Sequence, residues 1–147
     1  MTTTHRYKAA VIIPSRGGAD ILHYPLDALA AQTEKDFQVI VVLDGDIDNS
    51  EAVLDRYIAE GKLNLTKIVF EENRGRVAAL NAGHRAADAD ILIRCDDDLE
   101  PAADYVEAQI RLHRDYDGVI GTLKNVYPDT PYSVSYTHLT LPTKRIV

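Results

Sequence analysis

Three carboxylates in a row, Asp96-Asp97-Asp98, follow an apolar run that begins at Ile91. Like charges at this density repel and raise one another's pKa unless a cation or a network of donors compensates. Hard oxygen ligands suit Mg2+ or Mn2+ better than zinc or copper. One reading is therefore a divalent cation held by one or two of these side chains and completed by phosphate oxygens. The alternative is a solvated loop whose Asp residues cap a helix at Pro101. A second acidic group, Asp44 with Asp46 and Asp48, ends another apolar run in the same way. A carboxylate there could accept hydrogen bonds from a base N–H or a ribose hydroxyl. Equally, Asp-Gly and Asp-Asn-Ser make turns for local reasons.

Small and basic residues occupy the other run ends. Ser15, Arg16 and Gly17-Gly18 follow the first run, where glycines let amides approach a phosphate or a base and Ser and Arg supply donors. Arg74 and Arg76 flank Gly75 ahead of a small-residue segment, a place where amides and cations can neutralise phosphate. No Walker pattern or GxGxxG occurs, so neither a P-loop nor a dinucleotide fingerprint is supported. The lone Cys95 has no disulfide partner in the chain, and no Cys/His cluster has zinc spacing. The histidines show no triad spacing and read as surface residues; Cys95, Tyr105 and Tyr116 read as packing.

These residues need elements to position them. Apolar runs alternate with amphipathic stretches, the signature of βαβ units around a parallel sheet. Strands are expected at Ala9–Ile13, Phe37–Leu43, Lys67–Phe70, Ile91–Ile93 and Val119–Leu123. Helical stretches are expected between them. The first holds Ile21, Leu22, Leu26 and Leu29, with Pro25 either breaking it or sitting in its first turn. The second is capped by Ser50 and ended by Gly61. The third runs from Arg76 to Ala87, and the fourth starts with Pro101 in its first turn and has Tyr105, Val106, Ile110 and Leu112 on one side. Strand ends of such a sheet open on one edge, which brings the acidic and basic run ends to a single crevice.

The chain has 147 residues and a formal charge of −7, with 27% charged and 46% apolar residues. That composition fits one globular domain and excludes wholesale disorder, collagen or a disulfide scaffold. The acidic balance argues against general nucleic-acid binding, which needs a basic footprint. The apolar run Ala9–Ile13 is too short for a signal peptide, and no stretch approaches a membrane span. A cytoplasmic, reducing location is expected. Association with the cytoplasmic face of a membrane would have to run through other regions of a longer protein.

In order along the chain, VIIPSRGG, the Ala31-Gln32-Thr33 helix end, VIVVLDGDIDNS, ENRGRVAALNAG and ADILIRCDDDLEP resemble the nucleotide-binding half of family 2 glycosyltransferases. Asn73, Gly75, Ala79, Asn81 and Gly83 match that family's Asn-x-Gly…Ala-x-Asn-x-Gly pattern, and Asp96 and Asp98 its D-x-D motif. The resemblance covers about Ala9 to Leu123. It implies a Rossmann-like GT-A fold, mostly parallel with helices on both faces. It also implies transfer of a sugar from a nucleotide diphosphate sugar to an acceptor (glycan, lipid or protein), usually with inversion and with Mn2+ or Mg2+. Carried over residue by residue, Asp44 would bind base or ribose alongside Ser15 and Arg16, and Arg76 would lie near the base or diphosphate. Asp96 or Asp97 would contact donor ribose or sugar, and Asp98, with Asp96, the metal. Leu43 stands where many members carry the first Asp of a pair, Gly17-Gly18 replaces an aromatic-Asn, and Pro25 interrupts the first helix.

In this family the general base comes from the later, acceptor-binding part, and Leu99–Ser133 has room for a helix and a strand and little else. The metal and donor site is therefore expected without the base. The segment VSYTHLTLPT from Val134 to Thr143 resembles one translated frame of a transposase-type sequencing adapter. Residues 1–133 are accordingly expected to be an incomplete nucleotide-sugar-binding part, and 134–147 a non-native tail. Two other classes fit a doubly wound sheet with acids at its strand ends. A non-catalytic nucleotide- or sugar-binding module is the better description if the gene ends here. A phospho-accepting receiver domain would need an acidic pair where Pro14-Ser15-Arg16 stands.

Overall fold

The computed structural model describes residues 4–123; the 134–147 tail lies outside the described residues. Four strands form one sheet: β1 (Tyr7–Ser15), β2 (Phe37–Leu43), β3 (Leu65–Val69) and β4 (Ala89–Arg94). All pair in parallel, in the order β3-β2-β1-β4. Between and after them lie α1 (His23–Ala30), α2 (Ser50–Glu60), α3 (Arg76–Ala86) and α4 (Tyr105–Leu112). The expected α/β architecture is present.

Alternation along β1 assigns the layers. Ala9, Val11 and Ile13 pack with Leu22, Leu26 and Leu29 around α1, Leu54 and Tyr57 of α2, and Val106 of α4. Ala10 and Ile12 join Ile40, Val42 and Ala79 on the opposite face, under α3. Both faces of β1 and β2 are thus covered, which explains why their sequences read as unbroken apolar runs. The crossover through α3 carries the chain to the far side of β1, so the direction of strand addition reverses between β1 and β4. Such a reversal opens a crevice at the C-terminal strand ends. Pro14 helps to keep it open. Successive residues present their amides to alternate neighbours, and the carbonyl of Ile12 accepts from the Cys95 amide at 3.0 Å. The amide Pro14 lacks is therefore the next one that would have bonded to the chain beyond β4.

Some local expectations hold and others need correction. Pro25 is the third residue of α1, where no amide is owed to the helix, so it initiates rather than breaks. Ser50 is the first helical residue of α2 and not its cap; Asn49, at φ 65°, holds that position. The cap fails because the Ser50 hydroxyl is turned to Asp48, while its amide donates to Asp46 at 2.8 Å. Gly61, at φ 70°, ends α2 as expected. Pro101 lies four residues before α4, outside its first turn.

The chain divides after Ile110. From Arg111 onward the described residues complete α4, turn at His113–Asp115, and continue without a strand at Val119–Leu123. Gly121 in the middle of that run weakens it as a strand, and it has no ladder among the described residues.

Candidate functional site

The C-terminal ends of β1, β2 and β4 bring Ser15, Asp44 and Asp97 together from three loops. Ser15 closes β1 and is buried; its hydroxyl donates to Asp97 Oδ2 at 2.7 Å, across the point where strand addition reverses. Gly18 makes this contact possible. A Cβ there would stand 2.3 Å from Ser15 Oγ and 3.1 Å from Asp97 Oδ2, so no other residue fits without displacing the pair. Burial raises the Asp97 pKa, and the carboxylates of Asp98 and Asp96 raise it further, while the Ser15 bond opposes them. This is the electrostatic situation that a bound cation relieves.

The two flanking acids differ from Asp97. Asp96 Oδ1 accepts from both Nε and Nη2 of Arg94 at 3.2 Å. That pair is partly exposed, so it is worth little energetically, but it gives Asp96 a cation of its own. Arg94 ends β4 and Asp96 lies two positions beyond it, a short enough separation for the long Arg side chain to reach it. Asp98 is exposed in the turn. The alternative role of helix cap is not taken up, because α4 begins only at Tyr105. Cys95 is buried, as expected, and burial beside the three acids pushes its thiol up to about 12.

Asp44 extends β2 and is 6% exposed. Its amide donates to Ser15 O at 2.8 Å. Its carboxylate accepts from the amide of Arg74 at 2.6 Å and of Gly75 at 2.9 Å. Arg74 lays its guanidinium over the Phe70 ring at 4.9 Å. Arg76 opens α3 and is exposed, as is Arg16 at the end of β1. Asp48 Oδ2 accepts from the Ala19 amide at 2.9 Å, tying the loop after β2 to the loop after β1. Asp46 and Asp48 thus do turn work. Ser15, Asp44 and Asp97 are joined through direct bonds, and Asp96 and Asp98 flank that core; among the described residues, the Arg16 and Arg76 side chains form no hydrogen bond or ion pair with it.

Sequence reasoning overlooked Gln32, whose buried side chain makes three bonds. Nε2 donates to Ala28 O at 3.1 Å and Ala102 O at 2.7 Å, and Oε1 accepts from the Val106 amide at 3.0 Å. It fastens the chain that leaves the acidic turn to the end of α1 and caps α4. A Gln after an apolar helix carries no signal for this, since two of its three partners lie seventy or more positions away.

Among the described residues, no group of three or more His, Cys, Asp or Glu side chains is gathered to hold a metal ion. The donor set nevertheless fits a shared ion, with hard oxygens from one or two carboxylates and the remainder from a ligand's phosphates. No described helix is long and apolar enough to cross a membrane.

Residues 10–145 match the sequence model described as "Glycosyl transferase family 2". An uncharacterized glycosyltransferase, YfnE of Bacillus subtilis (strain 168), is 34% identical over 114 residues, 77% of this chain and 29% of its own length. Among solved structures, the mannosyltransferase PcManGT from Pyrobaculum calidifontis, in complex with GDP-Man and Mn2+, superposes with a TM-score of 0.72. It is 27% identical, with 83% of this chain and 37% of that one covered. S. aureus TarS 1-349 in complex with UDP shares the fold at a TM-score of 0.68 and 24% identity, over 75% of this chain and 33% of that one. The chain spans less than a third of the length of the first curated relatives it matches.

Proposed function

The chain belongs to glycosyl transferase family 2, and on that premise we propose that it is the donor-binding part of a transferase acting on a nucleotide diphosphate sugar. The observation that carries this is the Ser15–Asp97 bond at the mouth of the reversal between β1 and β4, flanked by Asp44 and Asp98. Ser15, Arg16 and Asp44 form the base and ribose end of the crevice. Arg76, at the head of α3, faces the diphosphate. Asp97 and Asp96 orient ribose and sugar. Asp98, with Asp96, would hold a Mn2+ or Mg2+ ion. Such an ion would neutralise charge on the departing diphosphate. The neighbours that contain UDP or GDP-Man with Mn2+ support this donor class.

The sugar passes with inversion to an acceptor hydroxyl of a glycan, lipid or protein. The base that deprotonates this hydroxyl belongs to a later part of the full-length protein.

Calorimetric titration of UDP and GDP into the 147-residue chain, with and without MnCl2, tests the reading. Weak binding that requires the metal and disappears in Asp98→Ala is expected. Binding of equal strength with and without metal, or no binding of either nucleotide, would overturn it.

A further inference from the structure

The acidic turn is tied at two points to β1 and the end of α1. At its centre, Ser15 Oγ donates to Asp97 Oδ2 at 2.7 Å. Beyond it the chain runs to α4 without helix or strand; Leu99 packs against the core, whereas Glu100 and residues 102–104 are exposed. Gln32, just past the end of α1, takes hold of this segment. Its Nε2 divides its two hydrogens between Ala28 O at 3.1 Å and Ala102 O at 2.7 Å, and its Oε1 accepts from the Val106 amide at 3.0 Å. The Thr33 amide adds a bond to Ala103 O at 2.9 Å. Both hydrogens and the oxygen of the Gln32 amide are thus matched. No apolar side chain could stand there without taking the acceptor from the buried Val106 amide. At 1% exposed, Gln32 is kept from any ligand by burial itself.

We propose that Gln32 is a positioning residue for the acidic turn: by holding Ala102 and Val106 it sets where the chain leaves Asp98, and so where the three carboxylates come to rest. This rests on the donor-binding reading above and adds to it a residue outside the crevice. Four positions separate Asp98 from Ala102, at most about 14 Å of extended chain, so a displacement at Ala102 is transmitted to the turn. The turn itself is closed by the Leu99 amide on Asp96 O at 3.3 Å, a long bond. Its carboxylates repel one another, so a turn released at its far end would spread. Donor and ion would then meet acids that are present but no longer gathered.

Gln32→Met keeps the length of the side chain and removes its bonds. In the ligand-free 147-residue chain, hydrogen exchange at the Leu99 amide should accelerate on the order of tenfold. With Mn2+, affinity for the nucleotide that binds, UDP or GDP, should fall on the order of tenfold. Tyr57→Phe supplies the comparison, since it removes a bond to Asp27 that joins α2 to α1 and not to the acidic turn. It should lower the urea midpoint and leave Leu99 exchange and nucleotide affinity as they were. Unchanged exchange or affinity in Gln32→Met, or equal losses in Tyr57→Phe, would overturn the proposal. Should Gln32→Met fail to fold, Gln32→Glu keeps the acceptor for Val106 and withdraws both donors. Its affinity deficit, taken against the unmodified chain at each pH, should shrink as the pH falls and the carboxyl regains one hydrogen. No deficit, or one of the same size at every pH, would overturn the proposal. If the unmodified chain binds no nucleotide, the donor reading fails, whereas Leu99 exchange still decides whether Gln32 holds the turn.

Discussion

Asp48 couples two loops with one side chain. The Ser50 hydroxyl, first, and the Ala19 amide, second, hold its carboxyl below the usual range. A depressed native pKa means that the ionised form stabilises the fold above the ordinary value of 3.8, and that this contribution fades as the pH falls through the lower native value. Asp48→Ala should thus lower the urea midpoint near neutral pH, with the gap to the unmodified chain closing below about pH 3.8. A gap of the same size across that range would assign the effect to something other than the carboxylate. Residue identities at the site were readable from type and position: acids at strand ends, and glycines where backbone must come close. The identity of each partner was not. That Asp44 would grip amides thirty positions away, or that Gly18 would be set by the Ser15–Asp97 pair, depends on three loops meeting in space.

At the scale of elements, α3 shows close packing overriding helix propensity. A Cβ on Gly83 would lie 2.4 Å from Ile12 Cγ2, so the missing side chain lets α3 settle onto β1. Gly83→Ala gains about 1 kcal/mol in helix propensity but overpacks a buried contact at a cost of about 1–3 kcal/mol. A net loss of stability in urea unfolding is expected, and the loss caused by Gly83→Ala should be smaller in an Ile12→Ala background, which is itself destabilised. A Gly83→Ala chain more stable than the original would refute the packing account. Both central strands were legible because burial on two faces leaves an unbroken apolar run. Element ends were less so: β1 runs through Pro14 because the ladder to β2 continues there without that amide. Ser50 lost its cap to Asp46 and Asp48, and Pro101 proved remote from α4, since local sequence cannot weigh such competitors.

For the whole molecule, the donor crevice and the reaction it would serve are separable. The described residues join Ser15, Asp44 and Asp97 at the strand ends, and under the proposed reading the acceptor's base belongs elsewhere. The 147-residue chain should therefore bind a nucleotide yet fail to sustain multiple-turnover sugar transfer. Robust turnover, lost in Asp98→Ala, would show that the base is already present. Reading the gene beyond codon 133 complements this, with continuation into a further acidic acceptor-site segment as the expected result.

Pro14 bears on what donor binding must accomplish. Because the β1–β4 ladder cannot be extended past Cys95 by a Pro14 amide, the crevice is parted by covalent structure in the free chain. A ligand entering it would break no strand pairing there. The part of the reorganisation penalty that unzipping a ladder would impose is absent at this point, and the Ser15–Asp97 bond is the contact left to rearrange.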